Sequence, residues 1–464
     1  MTMAFEQIRA ELNVILGSNG LLIGDDVRHR SDSWTGRGKC QALAIALPVD
    51  TAQVAALVRL CHQAGIAVVS QGGKTGLVEG CQTHGEELVV SLERMNAIES
   101  CDQGAGTMTV QAGAPLQLIQ EQAQALGLMY PVDLGSRGSC TIGGNIATNA
   151  GGIRVIRYGM TRQQVLGLEV VLADGSVLDS MNCLLKNNTG YDLKQLFIGS
   201  EGTLGIVTRA VLRLQPHPLS EQVAILAVPT FEALTTLLRR SSEWLGGQLS
   251  AFEVMWQSHY QAVAIDSGKH KPPLAGHHPY YVIVEALGGD PEHDPELFEK
   301  AMERALEQGL AEDVIIAQSG AQAAAIWAIR EDVPAVIMAM MPPISFDISL
   351  PLGKMEGFVE KVTRILREHW REKGRVLVFG HLGDGNLHVI VTVGEDSPEI
   401  RHRVESLVYA ALKEAHGSVS AEHGIGLEKK SYLELCRNAG ELALMRLLKR
   451  TLDPTDMFNP GKLL

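Results

Sequence analysis

The chain has 464 residues, of which 45% are hydrophobic and 20% charged, so it is long enough for two or three domains with ordinary globular cores. Its 40 lysines and arginines are outnumbered by 53 aspartates and glutamates, and the net charge of -13 argues against a nucleic-acid-binding protein. Seven cysteines, an odd number without any C-x-x-C spacing, indicate neither a disulfide framework nor an iron–sulfur cluster.

The first predicted elements lead to a glycine-rich turn. A helix capped by Asp50 and Thr51 spans residues 52–64, and residues 66–70 form a short buried strand. Residues 71–77 (QGGKTGL) follow, and their three glycines let backbone amides approach an anion closely. The spacing matches neither G-x-G-x-x-G nor G-x-x-x-x-G-K-[ST], so a Rossmann dinucleotide site and an NTPase are both disfavoured.

Two further glycine-rich stretches follow. Strands are predicted at residues 88–92 and 108–112, with a helix at 114–126. The second glycine-rich stretch is 141–152 (TIGGNIATNAGG) and the third is 199–205 (GSEGTLG). A loop that is rich in glycine only for packing would explain one such segment but explains three poorly. The three stretches favour close backbone contact with a long ligand.

Two histidines are predicted to meet at the mouth of a hairpin near the end of the chain. Residues 375–379 have the pattern of a buried strand, 383–385 of a tight turn, and 387–393 of the returning strand. This arrangement brings His381 and His388 together.

A carboxylate and a third histidine come shortly afterwards. An amphipathic helix at 398–416 and a strand at 418–421 would deliver Glu422 and His423, whose side chains point to opposite faces and should do different jobs. Two histidines and one carboxylate form the ligand set of a catalytic zinc, manganese or ferrous site with an open position. Equally, the histidine pair could satisfy turn backbone, with Glu422 a solvated carboxylate.

Segments spread along the chain resemble flavoproteins of the vanillyl-alcohol oxidase type, and within them the D-lactate and D-2-hydroxyglutarate dehydrogenase group. The matching segments are residues 72–77, 141–145, 188–193, 197–208, 381–388, 422–426, 452–454 and 459–462. The resemblance implies an α+β fold with a two-subdomain FAD-binding domain (1–216), an α+β substrate-binding cap domain (217–441) and a C-terminal helical segment that returns to the FAD domain (442–464). The proline-punctuated residues 214–218 support the first boundary.

The resemblance also implies roles for individual residues. His381, His388 and Glu422 would bind a divalent metal, with zinc the expected ion, and His423 would be the catalytic base. Arg330 would grip a substrate carboxylate, whereas its position alone indicates an ordinary arginine at a helix end. The implied substrate-binding residues are Arg330, Ser345, Ile390 and His423. The implied FAD-binding residues are Gly72, Gly73, Lys74, Thr75, Gly76, Leu77, Pro131, Asp133, Gly135, Thr141, Gly143, Gly144, Ala147, Thr148, Asn149, Gly152, Tyr158, Glu201, Gly202, Ile206, Val207 and Asn459.

Four positions depart from the family pattern. Lys74 stands where relatives commonly have Asn, which adds positive charge near the expected pyrophosphate. Ser345 stands where members that act on 2-hydroxyglutarate have a Lys, and Pro334 and Ile390 occupy pocket positions that are polar in those enzymes. A cation for a distal carboxylate is therefore missing, which favours substrates with a short or apolar side chain such as D-lactate.

The leading hypothesis is an FAD-dependent D-2-hydroxy acid dehydrogenase that passes electrons to an acceptor protein or quinone. The alternatives are a D-2-hydroxyglutarate dehydrogenase, a flavin-dependent alcohol oxidase of the same fold, and a non-enzymatic flavin-binding or anion-binding protein. Noncovalent FAD is expected because residues 71–77 contain no His or Cys, although Cys81 and His84 lie nearby. Without an apolar run of bilayer length or a signal core, a soluble cytoplasmic protein is expected, and a homodimer is compatible with it.

Overall fold

The computed structural model describes residues 3–33 and 39–464, whose hydrophobic runs form four sheets flanked by helices. The strands are β1 (Leu21–Ile23), β2 (Ala44–Ala46), β3 (Val68–Gln71), β4 (Leu88–Ser91), β5 (Ile98–Asp102), β6 (Thr107–Gln111), β7 (Leu128–Met129), β8 (Val165–Val171), β9 (Val177–Ser180), β10 (Ile206–Arg213), β11 (Gln215–Pro216), β12 (Ser220–Val228), β13 (Leu249–Trp256), β14 (Tyr280–Gly288), β15 (Asp313–Ile316), β16 (Ile344–Ser349), β17 (Arg375–His381) and β18 (Asn386–Thr392). The helices are α1 (Met3–Leu16), α2 (Asp25–Arg28), α3 (Thr51–Ala64), α4 (Leu116–Ala125), α5 (Ile142–Thr148), α6 (Val155–Tyr158), α7 (Thr161–Gln164), α8 (Lys194–Phe197), α9 (Phe231–Trp244), α10 (Gln257–Tyr260), α11 (Asp294–Glu307), α12 (Gly320–Glu331), α13 (Val333–Ala339), α14 (Met355–Trp370), α15 (Pro398–Glu414) and α16 (Ala439–Leu452).

The first compact unit comprises Met1–Gly151, Gly159–His217 and Glu422–Leu464. It contains a four-stranded sheet of order β1-β2-β4-β3, a five-stranded antiparallel sheet of order β5-β6-β10-β8-β9, and the pair β11-β7. Helix α3 forms where the sequence predicts it, because the Asp50 side chain accepts a hydrogen bond from the Gln53 N–H at 2.8 Å and caps its first turn. Two small sheets in one unit agree with the expected FAD-binding architecture.

The second compact unit comprises Gly152–Tyr158 and Pro218–Ala421 and contains one seven-stranded antiparallel sheet of order β15-β12-β14-β13-β17-β18-β16. Strands β17 and β18 form the predicted hairpin, joined by a tight turn at Leu382–Asp384. Gly385, which follows this turn, has φ +85°, a conformation that glycine adopts without strain.

The order of strands in this sheet brings four polar side chains onto one face. Residues that oppose each other in an antiparallel pair point to the same side of the sheet. Glu253 on β13 opposes His381, and His388 on β18 opposes Asp347 on β16. Phe379 lies two residues before His381, so the two side chains share a face, and Phe379 opposes His388. All four polar side chains are therefore on one face of the sheet. The same face continues into an apolar cluster that is covered by α12 and α13.

The observed units differ from the predicted division in two places. Residues 422–464, rather than only 442–464, group with the first unit, because the backbone N–H groups of Ile425 and Gly426 donate to the Glu201 carboxylate at 2.8 Å. Residues 152–158 group with the second unit, where Arg154 forms two hydrogen bonds with the buried Glu285 carboxylate. Neither side-chain contact has a signature in the local sequence.

Three other predictions meet the structure with different results. The helix predicted at 398–416 is confirmed as α15, but the strand predicted at 418–421 is wrong, since only a single bridge joins Ser418 to Ser349. Residues 270–279 form a loop in which Leu274 and His278 are buried. Within the described part of the chain, every helix is too short or too polar to cross a membrane.

Candidate active site

The two histidines of the hairpin approach each other through the same ring atom. His381 ends β17 and His388 lies in β18, and their Nε2 atoms are 3.4 Å apart. The ring planes are inclined at 83°, so the two nitrogens converge on one point rather than stacking face to face. Two nitrogens at the usual bond length from a tetrahedral zinc ion lie about 3.3 Å apart. The pair therefore has the spacing of two ligands on one metal ion.

The opposite ring nitrogens of both histidines face carboxylates. His381 Nδ1 lies 2.6 Å from Glu253 Oε1, and His388 Nδ1 lies 3.7 Å from Asp347 Oδ1. A carboxylate beside Nδ1 favours the tautomer whose Nε2 lone pair is available to a metal ion. The carboxylates beside the two rings, like the distance between their Nε2 atoms, therefore favour metal binding through Nε2.

Glu253 also holds the arginine that the sequence singled out. Arg330, at the end of α12, places Nε and Nη2 2.9 Å from Glu253 Oε2, and its guanidinium carbon lies 4.5 Å from the centre of the Phe379 ring. Both charged side chains are buried. The Nε and Nη2 groups of the guanidinium are therefore directed at Glu253 rather than at a substrate carboxylate. The sequence analysis missed Glu253, for which the one available signal is a lone acid within the apolar strand LSAFEVMW.

His259 is a second residue that sequence reasoning missed. Its side chain is fully buried beside the Phe379 ring, with 4.7 Å between ring centres. Neither ring nitrogen has a hydrogen-bond partner among residues 3–33 and 39–464. Burial, reinforced by the nearby Arg330 charge, lowers the pKa of His259 from 6.5 to about 3. This imidazole is therefore neutral at physiological pH.

Asp347 anchors the segment that leads to the last two predicted site residues. Its Oδ1 accepts a hydrogen bond from Asn386 Nδ2 at 2.7 Å, and its Oδ2 accepts one from the Ala421 N–H at 3.2 Å. Ala421 is the last residue of the second unit, and Glu422 and His423 follow it directly in the chain. A side-chain contact, rather than the predicted strand ladder, therefore fixes the start of this segment.

Two of the four positions that depart from the family pattern, Ser345 and Ile390, lie on the same sheet, whereas Pro334 lies in α13. Ser345 opposes Ile390 in the register of β16 and β18, and Leu377 opposes Ile390 from the other side. Ile390 belongs to the buried cluster that includes Val336 of α13, whereas Ser345 is exposed. The buried neighbours of Ile390 in this cluster are thus hydrocarbon.

The three glycine-rich stretches converge in the first unit around the end of β3. A Cβ atom on Gly72 would lie 2.3 Å from Thr141 Oγ1, and one on Gly73 would lie 2.0 Å from the Ser139 carbonyl oxygen. A Cβ atom on Gly202 would lie 2.5 Å from the Ser70 hydroxyl oxygen. Only glycine permits approaches this close. The result is a cradle built largely of backbone, which we call the glycine cradle.

Buried polar groups in the first unit lack the partners that such groups normally have. The Tyr130 hydroxyl, Thr141 Oγ1, Asn145 Nδ2 and Lys462 Nζ have no hydrogen-bond partner among the described residues. Burial lowers the pKa of Lys462, opposed by the nearby Cys81, Glu87 and Asp32. Leaving buried donors unpaired is costly, so these groups fit a ligand rich in acceptor oxygens and nitrogens, as FAD is.

Two members of the predicted FAD set, Glu201 and Asn459, bind each other. The Asn459 side chain donates to the Glu201 carbonyl at 2.7 Å and accepts from the Ser70 N–H at 3.3 Å. The Glu201 N–H donates to the Ala147 carbonyl oxygen, and its carboxylate holds residues 425–426. These contacts support a scaffold role for both side chains.

The other predicted FAD residues divide between the two units. Gly152 and Tyr158 lie in the stretch that groups with the second unit, whereas the others lie in the first. Asp133 forms an ion pair with Arg137, and Thr148 donates to the Gly144 carbonyl oxygen at 3.1 Å. Lys74 and Asn149 have positive φ, Leu77 is exposed, and Ile206 and Val207 are buried in β10.

Two protein-family models match the chain, one on either side of the boundary near residue 217. Residues 42–180 match a family model described as an FAD binding domain, and residues 217–463 match one described as the C-terminal domain of FAD linked oxidases.

Several curated proteins are similar over almost the whole chain. A D-2-hydroxyglutarate dehydrogenase of Xanthomonas citri pv. viticola is 44% identical, covering 94% of this chain and 92% of that protein. The mitochondrial D-2-hydroxyglutarate dehydrogenase of Bos taurus is 40% identical, with coverage of 93% and 78%. A Schizosaccharomyces pombe protein bearing the name of a mitochondrial D-lactate dehydrogenase is 37% identical, with coverage of 92% and 82%.

Solved structures share the fold. A p-cresol methylhydroxylase superposes with a TM-score of 0.80 at 14% identity, covering 100% of this chain and 97% of that chain. An alkyldihydroxyacetonephosphate synthase gives a TM-score of 0.76 at 19% identity, with coverage of 98% and 86%. At this identity the likeness shows the architecture alone, and it is the architecture expected for a flavoprotein of the vanillyl-alcohol oxidase type.

Proposed function

We propose that this chain, which belongs to the family of FAD-linked oxidases together with the D-2-hydroxyglutarate dehydrogenases, is an FAD-dependent dehydrogenase that oxidises D-2-hydroxy acids to 2-oxo acids. The observation that carries the proposal is the His381–His388 pair, whose Nε2 atoms converge at 3.4 Å while their Nδ1 atoms face carboxylates. This arrangement offers two nitrogen ligands on an enzyme whose substrate has a hydroxyl group and a carboxylate.

The residues divide the reaction between them. His381, His388 and Glu422 would hold the metal, and His423 would remove the hydroxyl proton as the general base. Glu422 and His423 follow the anchored Ala421 within two residues, which supports their joining the site. When bound, FAD accepts the hydride and a divalent metal ion such as zinc polarises the substrate oxygens.

Arg330 contributes a buried positive charge near this site. Because its Nε and Nη2 groups are engaged by Glu253, the Nη1 group is the one we propose to face a substrate carboxylate. The guanidinium carbon lies over the Phe379 ring at 4.5 Å from its centre, a cation–π contact that adds to the hold of Glu253 on this side chain. Arg330 would thus act as an already oriented donor.

The substrate is proposed to carry a short or apolar side chain, with D-lactate as the simplest case. Ile390 itself offers a distal carboxylate no hydrogen-bond donor, and of its two cross-strand partners Leu377 offers none and Ser345 only a neutral hydroxyl group. D-2-hydroxyglutarate is the second candidate, because relatives covering most of the chain bear that name.

Anaerobic reduction of the bound flavin by a panel of D- and L-2-hydroxy acids separates these candidates. Bleaching by D-lactate and similar acids is the expected result. Efficient bleaching by the five-carbon diacid alone would reverse our assignment of Ser345 and Ile390, and bleaching by L-acids alone would contradict the proposed activity. Slow reaction of the reduced flavin with oxygen would support a dehydrogenase that uses an acceptor protein or quinone, whereas a fast reaction would favour an oxidase.

The cofactors have their own tests. We expect FAD to be noncovalent, so acid precipitation should leave the yellow colour in the supernatant, and a yellow pellet would contradict this. We expect one divalent metal ion per chain. Full activity after chelation, with metal absent by elemental analysis, would remove the metal from the proposal.

A further inference from the structure

We infer that Glu253 is a positioning residue that sets the ligand tautomer of His381 and the orientation of Arg330 at the same time. The inference rests on the proposed metal site. Glu253 occupies the position opposite His381 in the register of β13 and β17, so the backbone itself places the carboxylate beside the imidazole. Only 1% of Glu253 is exposed, and its two oxygens bind different partners.

Both contacts of Glu253 require it to accept a hydrogen bond. Oε1 lies 2.6 Å from His381 Nδ1, and Oε2 lies 2.9 Å from Arg330 Nε. For His381 to present an unprotonated Nε2 to a metal ion, its Nδ1 must carry the hydrogen and therefore donate it. Arg330 can only donate. The two donors reach different oxygens of Glu253, and among side chains of this length only a carboxylate places an acceptor at both positions.

A glutamine at this position would satisfy one partner and not the other. It has the shape of glutamate but one acceptor oxygen and one NH2 group. The Arg330 guanidinium would bind the amide oxygen in preference to His381, because hydrogen bonds from charged donors are stronger. The NH2 group would then face Nδ1 and favour the tautomer with hydrogen on Nε2, the atom that a metal ion needs. Glu253→Gln should therefore weaken metal binding without a change in side-chain volume.

Removing Arg330 should reverse that effect, which distinguishes positioning from general packing. In Glu253→Gln/Arg330→Met the amide oxygen is free to accept from His381 Nδ1, so metal affinity should return close to the wild-type value. In Glu253→Met/Arg330→Met no acceptor remains. Both double variants lack a buried charge at these two positions, so neither suffers from an uncompensated ion.

The experiment is a titration of zinc into metal-stripped, FAD-loaded protein in competition with a chelating dye. We expect binding roughly 10- to 100-fold weaker for Glu253→Gln and for the Met/Met variant. We expect near wild-type binding for the Gln/Met variant. Flavin content and melting temperature establish that each variant is folded.

Glu285→Gln is the matched control. Glu285 lies on the neighbouring strand β14, is also buried and also pairs with an arginine, Arg154. The other partner of its carboxylate is the Ser250 hydroxyl group rather than a histidine. Its zinc affinity should stay that of the wild type. Unchanged affinity in Glu253→Gln, equal loss in the two double variants, or equal loss in the control would each overturn the inference. A wild type that binds no zinc would overturn the proposed metal site as well.

Discussion

The histidine hairpin (residues 375–392) and the glycine cradle are both proposed ligand sites, but the first is built from side chains and the second from backbone. In the hairpin, charged and polar side chains on neighbouring strands hold one another, with Glu253 linking His381 to Arg330. In the cradle, backbone lies against backbone, and the absence of side chains at Gly72 and Gly73 makes the approach possible. The first site should fail when a functional group is exchanged, and the second when a single methyl group is added.

The largest effect is expected at the proposed base. His423→Ala should lower the rate of flavin reduction on the order of a hundredfold to ten-thousandfold, because the hydroxyl proton loses its acceptor. Its metal content should stay that of the wild type, whereas His388→Ala should lose the metal ion as well. Stopped-flow flavin reduction and elemental analysis provide the two readouts. Loss of metal in both variants would remove the distinction between base and ligand.

The glycine cradle can be broken with one methyl group. Gly73→Ala should weaken FAD binding roughly tenfold to a hundredfold, because the new Cβ meets backbone that lies 2.0 Å away and the loop must shift. Gly80→Ala is the control, since Gly80 lies outside the predicted FAD-binding set and a Cβ there has nothing within 4 Å. The dissociation constant for FAD, measured by fluorescence titration, should separate the two. Equal affinities would show that the close approach of the loop does not matter for FAD.

Lys462 tests whether the cradle also depends on a side chain. Lys462→Met keeps the length of the buried side chain but removes its unpaired ammonium, so FAD should bind about tenfold more weakly. Lys430→Met is the matched control from the same tail, because that ammonium already donates to the Gly461 carbonyl oxygen at 2.8 Å. If both variants bind FAD as the wild type does, Lys462 is not a ligand of the cofactor.

His259 tests the surroundings of the hairpin as an electrostatic site, with an effect confined to acid pH. Because folding keeps its pKa near 3 while the unfolded chain protonates it near pH 6.5, its contribution to stability is present above pH 6.5 and is lost as the pH falls toward 3. Between these values the wild type should lose up to about 1.4 kcal/mol per pH unit more than His259→Phe. Urea denaturation at several pH values measures this, and parallel slopes would contradict it.

The sequence predicted the components of the site better than their contacts. The hairpin, α3 and α15 follow from hydrophobic periodicity and capping residues, which are local properties. The strand prediction at 418–421 was wrong because this segment pairs with another strand at only one residue, Ser418. The Asp347 carboxylate, rather than a strand ladder, binds the Ala421 N–H. Arg330 was recognised, but its pairing with Glu253 depends on residues 77 positions apart in the chain.

By itself, the sequence determined the α+β class, the glycine-rich stretches, the histidine pair and, through its resemblance to known flavoproteins, the class of reaction. These follow from residue types, short-range spacing and motifs. Only the tertiary structure decided that Glu253 stands beside His381, that Ile390 lies in hydrocarbon, and that Glu201 and Asn459 bind each other. The physical reason is that strand order and register choose which distant side chains share a face, and a buried charge acquires its role from the partners it meets there.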